Sequence, residues 1–188
     1  MPKNYDVNVG LGNVGGMAYY APIDDDPVLP TFPSDTLDDS FAEIGYISED
    51  GPTLTPFGNV DIIRDWSKTV RRQVMTEKGS VRVSIISTTK DSLTAVFGDR
   101  VTEVAANSSH GKLIKVDMSE GPTSDRFAVV LLGKDGDDEY MLAGNNCAVT
   151  EVADIAFSPN NAIIWTATIE GDWSFVKDNC QVTNGGNP

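Results

Sequence analysis

The sequence predicts a mainly β fold: an antiparallel β-sandwich or barrel with one short α-helix, a long hairpin and an extended N-terminal arm. Three observations support this prediction. Strand-like runs recur at a spacing of roughly 8–15 residues, separated by turn signals rich in Gly, Asn and Asp. Only residues 88–98 combine helical spacing with start and stop signals. Residues 1–40 mix glycines and prolines in a way that excludes a regular core element.

Residues 1–40 are predicted to form the extended N-terminal arm. Glycines cluster between residues 10 and 16, and prolines follow at positions 22, 27, 30 and 33. The segment nevertheless contains many apolar residues, among them Tyr19 and Tyr20, which is unusual for a solvated linker. We therefore expect an arm that becomes ordered on the surface of a partner.

Residues 10–15 also match the glycine spacing of the dinucleotide-binding fingerprint. That chemistry requires the glycine turn to open a helix whose N-terminus faces the pyrophosphate. Four prolines interrupt the residues that would form this helix, and no βαβ unit follows. We expect no cofactor here.

Residues 41–178 are predicted to form the β domain. Residues 45–51 end a strand in an acidic turn, where Asp50 and Gly51 are favourable turn residues. Residues 59–86 contain three strand-like runs rich in Val, Ile and Trp. In the last of these runs, Val81, Val83 and Ile85 alternate and should face one side of a strand.

A basic stretch at residues 67–79 predicts a long, exposed hairpin protected by charge. Its basic residues are Lys68, Arg71, Arg72 and Lys78. Trp66 lies beside this stretch. A core anchor is the commoner role for such a tryptophan, and a position at the centre of an interface is the alternative.

The predicted helix is opened by Thr88 or Thr89, carries Leu93, Val96 and Phe97 on one face, and stops at Gly98. After it, the pattern predicts strands at residues 100–106, 112–118, 126–133, 139–142, 147–157 and 162–169. A turn is predicted at residues 144–146, and residues 179–188 are predicted to be a flexible C-terminal tail.

The chain carries 28 acidic and 14 basic residues, a net charge of −14. This disfavours a protein that grips nucleic acid, because such proteins need a basic footprint. The charge is uneven: residues 59–100 hold 8 bases and 5 acids, while both flanking regions are acidic. Either this is a solvated surface with random clustering, or the acidic arm or body of one copy meets the basic hairpin of another.

No catalytic set is evident, so we expect no enzyme. His110 is the only histidine and lies in a turn. The acidic residues 135–139 lack the spacing of an EF-hand loop. Cys147 and Cys180 have no metal-binding spacing, and we expect two reduced thiols; the alternative is a disulfide, if the chain matures in an oxidising compartment. No apolar run approaches the roughly 18 residues of a membrane span, so no membrane association is expected.

The order of several segments resembles the major tail tube proteins of long-tailed bacteriophages. The matching segments are residues 45–51, Trp66, residues 81–86 and residues 93–98, and the resemblance spans about a third of the chain. It implies a structural subunit of hexameric rings that stack into a hollow tube, in which strands from six copies close an inner barrel.

By the same resemblance, phage DNA would pass through an acidic lumen during ejection. The ring-to-ring contacts would be made by the hairpin, the arm and the tail, with Trp66, Lys68, Arg71, Arg72, Lys78, Tyr19 and Tyr20 as interface residues. The implied partners are other copies and the tail tip, tape measure and tail terminator proteins. The implied location is the virion tail, after assembly in the host cytoplasm. The alternatives are a tube subunit of a contractile-injection or secretion system and a virion-surface β-sandwich that binds carbohydrate.

Overall fold

The computed structural model describes residues 11–12, 18–58, 60–68, 70–75, 78–121, 125–135 and 138–179. These residues form twelve strands and one α-helix, with two single-turn 3₁₀ helices at Ile23–Asp25 and Gly98–Arg100. In chain order the elements are β1 (Leu11–Gly12), β2 (Ala18–Pro22), β3 (Ala42–Glu43), β4 (Thr53–Thr55), β5 (Val60–Arg64), β6 (Val70–Met75), β7 (Gly79–Ile85), α1 (Lys90–Phe97), β8 (Val101–Val104), β9 (Leu113–Val116), β10 (Phe127–Asp135), β11 (Asp138–Val152) and β12 (Trp165–Asn179).

Eight strands form one antiparallel sheet. Its order is β3-β2-β10-β11-β12-β7-β4, and β1 pairs with β10 beside β2. The long strands β11 and β12 lie at its centre and pair with each other along their length. Both outer strands are very short, which limits the exposed sheet edge.

One face of the sheet is buried under α1 and the β8–β9 hairpin. Alternate residues of β7 (Val81, Val83 and Ile85) and of β12 join the helix residues in the main core. The period-2 alternation of strands explains this arrangement, since every second side chain faces the same way. A mainly β, antiparallel fold with one short helix is therefore confirmed.

The opposite face is covered over only part of its width. Val130 and Met141, from β10 and β11, form a second cluster with apolar residues of the segment that follows β2, including Leu37 and Phe41. On β7 and β12, the residues that alternate with the core, such as Arg82 and Thr168, are polar. This part of the sheet presents a hydrophilic surface.

Several sequence-based boundaries are corrected by the structure. Residues 139–142 and 147–157 were predicted as two strands, whereas β11 is continuous from Asp138 to Val152 and contains bulges instead of a turn. The strand predicted at residues 162–169 begins at Trp165 and continues to Asn179. The hairpin predicted at residues 67–79 is centred earlier, between β5 and β6.

Residues 1–40 were predicted as an extended arm, but part of that segment is an internal strand. β2 lies between β3 and β10, where Ala18 and Tyr20 enter the core. Apolar side chains on both faces of β2 and backbone pairing along both of its edges hold it there. Residues 1–10 and 13–17, and most of the predicted tail at residues 179–188, lie outside the described residues.

The described sheets remain open, with no closed barrel among them. Two hairpins, β5–β6 and β8–β9, stand apart from the main sheet. None of the described helices is long and apolar enough to cross a membrane.

Candidate assembly surface

The β5–β6 hairpin, residues 60–75, is called the basic hairpin below. Among the strands that the structure describes, β5 and β6 pair only with each other. Two-stranded hairpins without further packing are at best marginally stable in water. A hairpin of this kind is expected to gain stability when another surface covers it.

Both faces of the basic hairpin carry apolar side chains that the described part of the chain leaves exposed. Ile62 and Ile63 are neighbours on β5, so their side chains point to opposite faces. They are 45% and 52% exposed. Val70 on β6 is also exposed. Apolar side chains on both faces therefore remain in contact with water in the single copy.

A tight turn at the tip presents Trp66. The backbone N–H of Lys68 donates to the Asp65 carbonyl at 2.9 Å, which closes the turn. The Asp65 carboxylate accepts from the Ser67 N–H at 2.9 Å and from the Ser67 hydroxyl at 2.6 Å. Trp66 lies inside this bonded turn and its side chain is fully exposed. The commoner expectation for Trp66, a core anchor, is wrong for the single chain.

The basic residues divide into two groups. Lys68 and Arg72 are exposed on the basic hairpin, and Arg71 is their neighbour on β6. Lys78 lies at the base, where its ammonium pairs with the Asp172 carboxylate at 2.6 Å. The charge of Lys78 is thus already matched inside the chain.

The two tyrosines of the predicted interface set lie in β2, within the main sheet. Tyr20 is only 8% exposed and belongs to the main core. Burial, with the Asp91 carboxylate adding to it, raises the pKa of Tyr20. Tyr19 points to the opposite face and packs against the second cluster. The structure therefore does not bring the tyrosines together with Trp66.

The backbone of His110 and two of the acidic side chains near residue 138 have partners within the chain. The turn at His110 is closed by the Asn107 N–H, which donates to the His110 carbonyl at 2.9 Å. In the acidic region, Asp138 pairs with Lys177 at 2.9 Å and Glu139 with Lys134 at 3.0 Å. No group of three or more metal-ligating side chains is found among the described residues.

Comparison with known proteins identifies a matching protein family. The family model described as "Phage tail tube protein" matches residues 10–169. Among solved structures, the chain is similar to a subunit of the anti-feeding prophage cap, the tube terminating cap, with 10% identity and a TM-score of 0.33 over 95% of this chain and 100% of that chain. The search of curated proteins gives no match.

Proposed function

This chain belongs to the family of phage tail tube proteins, and from that premise we propose that it forms hexameric rings that stack into a hollow tube. A structural role in a phage tail, as part of the virion, follows from the family itself. The hexameric ring, the contacts between stacked rings and the path of the DNA go beyond the family match and are what we propose.

The observation that carries the proposal is the uncovered basic hairpin. Its fully exposed tryptophan and its apolar faces are unfavourable in a monomer in water. Tryptophan and arginine are also the residues most enriched at the centres of protein interfaces. Trp66, Lys68, Arg71 and Arg72 would therefore contact the next ring, with Lys78 securing the base of the hairpin.

The hydrophilic face of β7 and β12 is proposed to line the lumen. It lies opposite the helix-covered core and carries hydroxyl groups such as Ser84 and Thr166, whose side-chain oxygens lie 2.8 Å apart. Six copies would carry a net charge of −84, six times the −14 of one chain. Phosphates would be repelled by this charge, so DNA would pass without binding.

Assembly would also involve the other tail components. Tail tip, tape measure and tail terminator proteins would be the partners at the start, along the length and at the end of the tube. Assembly would take place in the host cytoplasm. The N-terminal segment and the tail would contribute further ring-to-ring contacts.

Electron microscopy of the purified protein tests this function. We expect rings of six and stacked tubes in negative stain, with a purified tail tip added as a seed because tube proteins can remain monomeric until initiation. A protein that stays a monodisperse monomer at high concentration with the seed present would contradict the proposal.

A further inference from the structure

A cavity of about 340 Å³ opens at the end of the molecule that includes the C-terminus of α1. Its volume falls within the range of roughly 300–1,000 Å³ typical of ligand pockets, which is ample for an indole ring. The lining is largely apolar, with two carboxylates, Glu120 and Asp154, and one guanidinium. The apolar lining includes Phe97, Met118, Val152 and Ile155.

The walls of this cavity are held by hydrogen bonds within the chain. The Arg100 guanidinium donates to the carbonyls of Glu120 and Gly121 and lies 3.6 Å from the Glu120 carboxylate. On the opposite wall, the Ala153 N–H donates to the Thr166 carbonyl at 2.9 Å. These bonds position part of the cavity lining within the single chain, which reduces the entropic cost of ordering it in a contact.

The tip of the basic hairpin has the complementary chemistry. Trp66 is aromatic and fully exposed, and Met118 in the cavity offers the sulfur contact that aromatic rings favour. Residues 60–75 hold four basic side chains and two acidic ones. The basic Lys68, two residues from the indole, would approach the acidic rim formed by Glu120 and Asp154.

The base of the basic hairpin and the cavity lie at opposite ends of the same strand pair. The basic hairpin joins β7 at Gly79, which is opposite Gly171 of β12. The cavity lies near the other end, where Ile85 is opposite Trp165 and Val152 is opposite Ala167. The two ends of β7 are six residue steps apart, a distance of about 20 Å. A contact between two different patches at opposite ends repeats head to tail and extends without limit.

We propose that Trp66 of one copy inserts into this cavity of a copy in the neighbouring ring. This inference rests on the proposed function and specifies where the basic hairpin binds. A second cavity, of about 330 Å³, is lined by Pro33, Ser34, Leu132, Gly133, Lys134 and Glu139. It has fewer apolar side chains, and its one carboxylate, Glu139, already pairs with the Lys134 ammonium at 3.0 Å. The first cavity has two carboxylates and one guanidinium, so it suits a basic, aromatic tip better.

The first test compares Trp66→Ala with Phe57→Ala. Phe57 is also exposed, at 70%, but precedes the basic hairpin and serves as the matched control. Loss of a buried tryptophan anchor should raise the critical concentration for tube assembly at least roughly tenfold. Phe57→Ala should leave it within about twofold, and circular dichroism should show both variants folded. Equal effects of the two variants would overturn the proposal.

The second test is site-directed crosslinking in a Cys180→Ser background. Copies with Ser67→Cys are assembled with copies carrying Asp154→Cys at the cavity rim, or Ser34→Cys at the second cavity as a control. A short bismaleimide should link Ser67→Cys to Asp154→Cys in tubes, with at least fivefold less product for Ser34→Cys. Tubes that form without this preference overturn the insertion of Trp66 and leave the tube function intact. If seeded wild-type protein forms neither rings nor tubes, the proposed function fails, and the inference fails with it.

Discussion

Cys147 shows how tightly the centre of the sheet is packed. A Cβ atom added to Gly171 would lie 2.3 Å from the Cys147 sulfur, and one added to Gly144 would lie 2.6 Å from it. Both glycines therefore provide space for the thiol at a bulge in β11. Burial, with the Asp172 carboxylate adding to it, raises the pKa of Cys147 to about 12.

We predict that this thiol makes stability fall at alkaline pH. In the unfolded chain a thiol has a pKa of about 8.5. Between about pH 8.5 and 12 the unfolded state therefore loses its proton while the folded state keeps it, so stability decreases as pH rises. Relative to Cys147→Ala, the wild-type free energy of unfolding should drop by up to roughly 2 kcal/mol between pH 8 and pH 10.5. Urea titrations at both pH values measure this difference, and parallel pH profiles would contradict the prediction.

His110 provides a second test at the residue scale. The Asn107 carboxamide oxygen accepts from the N–H groups of Ser109 and His110 at 2.8 and 2.9 Å, so the turn depends on Asn107 and on the His110 backbone. We expect His110→Ala to leave both the melting temperature and tube assembly unchanged. Asn107→Ala should lower the melting temperature, since it removes both acceptor contacts. Loss of assembly in a folded His110→Ala protein would instead indicate a functional role for the imidazole.

Helix α1 begins with a reciprocal cap. The Thr89 hydroxyl accepts from the Ser92 N–H at 3.1 Å, and the Ser92 hydroxyl oxygen accepts from the Thr89 N–H at 2.8 Å. Ser92 is fully buried, and its hydroxyl also donates to the Ser87 carbonyl at 2.9 Å. This cap connects the end of the β7 segment to the helix that covers the core.

We therefore predict that Ser92→Ala lowers the free energy of unfolding by about 1–2 kcal/mol, because it removes the partly buried hydrogen bonds of the Ser92 hydroxyl with the Thr89 N–H and the Ser87 carbonyl. Lys90→Ala, at an exposed position in the same helical turn, should change it by less than about 0.5 kcal/mol. Chemical denaturation of the two variants measures both values. Equal stability of the two variants would show that the cap contributes little.

The elements that were predictable from sequence are those specified by local signals. Thr89 and Gly98 delimit the helix as expected, because capping depends on a few neighbouring residues. Residues 144–146 failed as a turn prediction for a tertiary reason. Gly144 accommodates Cys147 and Trp173, and Asn146 has a positive φ of 48° within a bulge. A sequence pattern does not distinguish a glycine that turns the chain from one that makes room for a neighbouring side chain.

The basic hairpin gives a prediction at the scale of one element. Reversing two charges with Arg71→Glu and Arg72→Glu should weaken ring stacking severely and leave the monomer folded, since the basic hairpin lies outside the core. Each exposed ion pair contributes only about 0–1 kcal/mol, but a ring repeats the loss six times. Circular dichroism reports the fold and sedimentation reports the tubes.

The matched control changes charge by the same amount elsewhere, with Lys90→Glu and Lys112→Glu. Both positions are exposed and lie outside the basic hairpin. The amount of tubes formed by this control should be much closer to that of the wild type than the amount formed by the Arg71→Glu, Arg72→Glu variant. Normal tubes from the Arg71→Glu, Arg72→Glu variant at low salt would exclude an electrostatic ring-to-ring role for these arginines.

At the scale of the whole molecule, one side of the proposed contact between rings could be predicted from the sequence and the other could not. The basic residues of the hairpin all lie within residues 64–72, so a basic surface could be predicted directly from the sequence. The proposed acceptor cavity draws Phe97, Met118 and Asp154 from three separate segments. Only the folded arrangement of α1 and the connections after β9 and β11 brings these segments together, so no local motif could indicate the cavity.

The net charge of each chain opposes assembly, whereas local pairs of opposite charge would favour it. Each chain carries −14, so copies repel one another over long distances. The basic hairpin and an acidic rim would attract one another at contact. The screening length is about 10 Å at 0.1 M salt and about 3 Å at 1 M. The long-range repulsion is therefore already largely screened at 0.15 M, and additional salt acts mainly on the short-range attraction.

Raising the salt concentration from 0.15 M to 1 M should consequently reduce the fraction of wild-type protein that sediments as tubes. The Arg71→Glu, Arg72→Glu variant changes the net charge of residues 60–75 from +2 to −2, so its residual assembly should respond weakly or in the opposite direction. Sedimentation of both proteins across this salt range measures the two responses. A rise in wild-type tubes with salt would show that repulsion between acidic subunits, and not attraction through the basic hairpin, controls the stacking of rings.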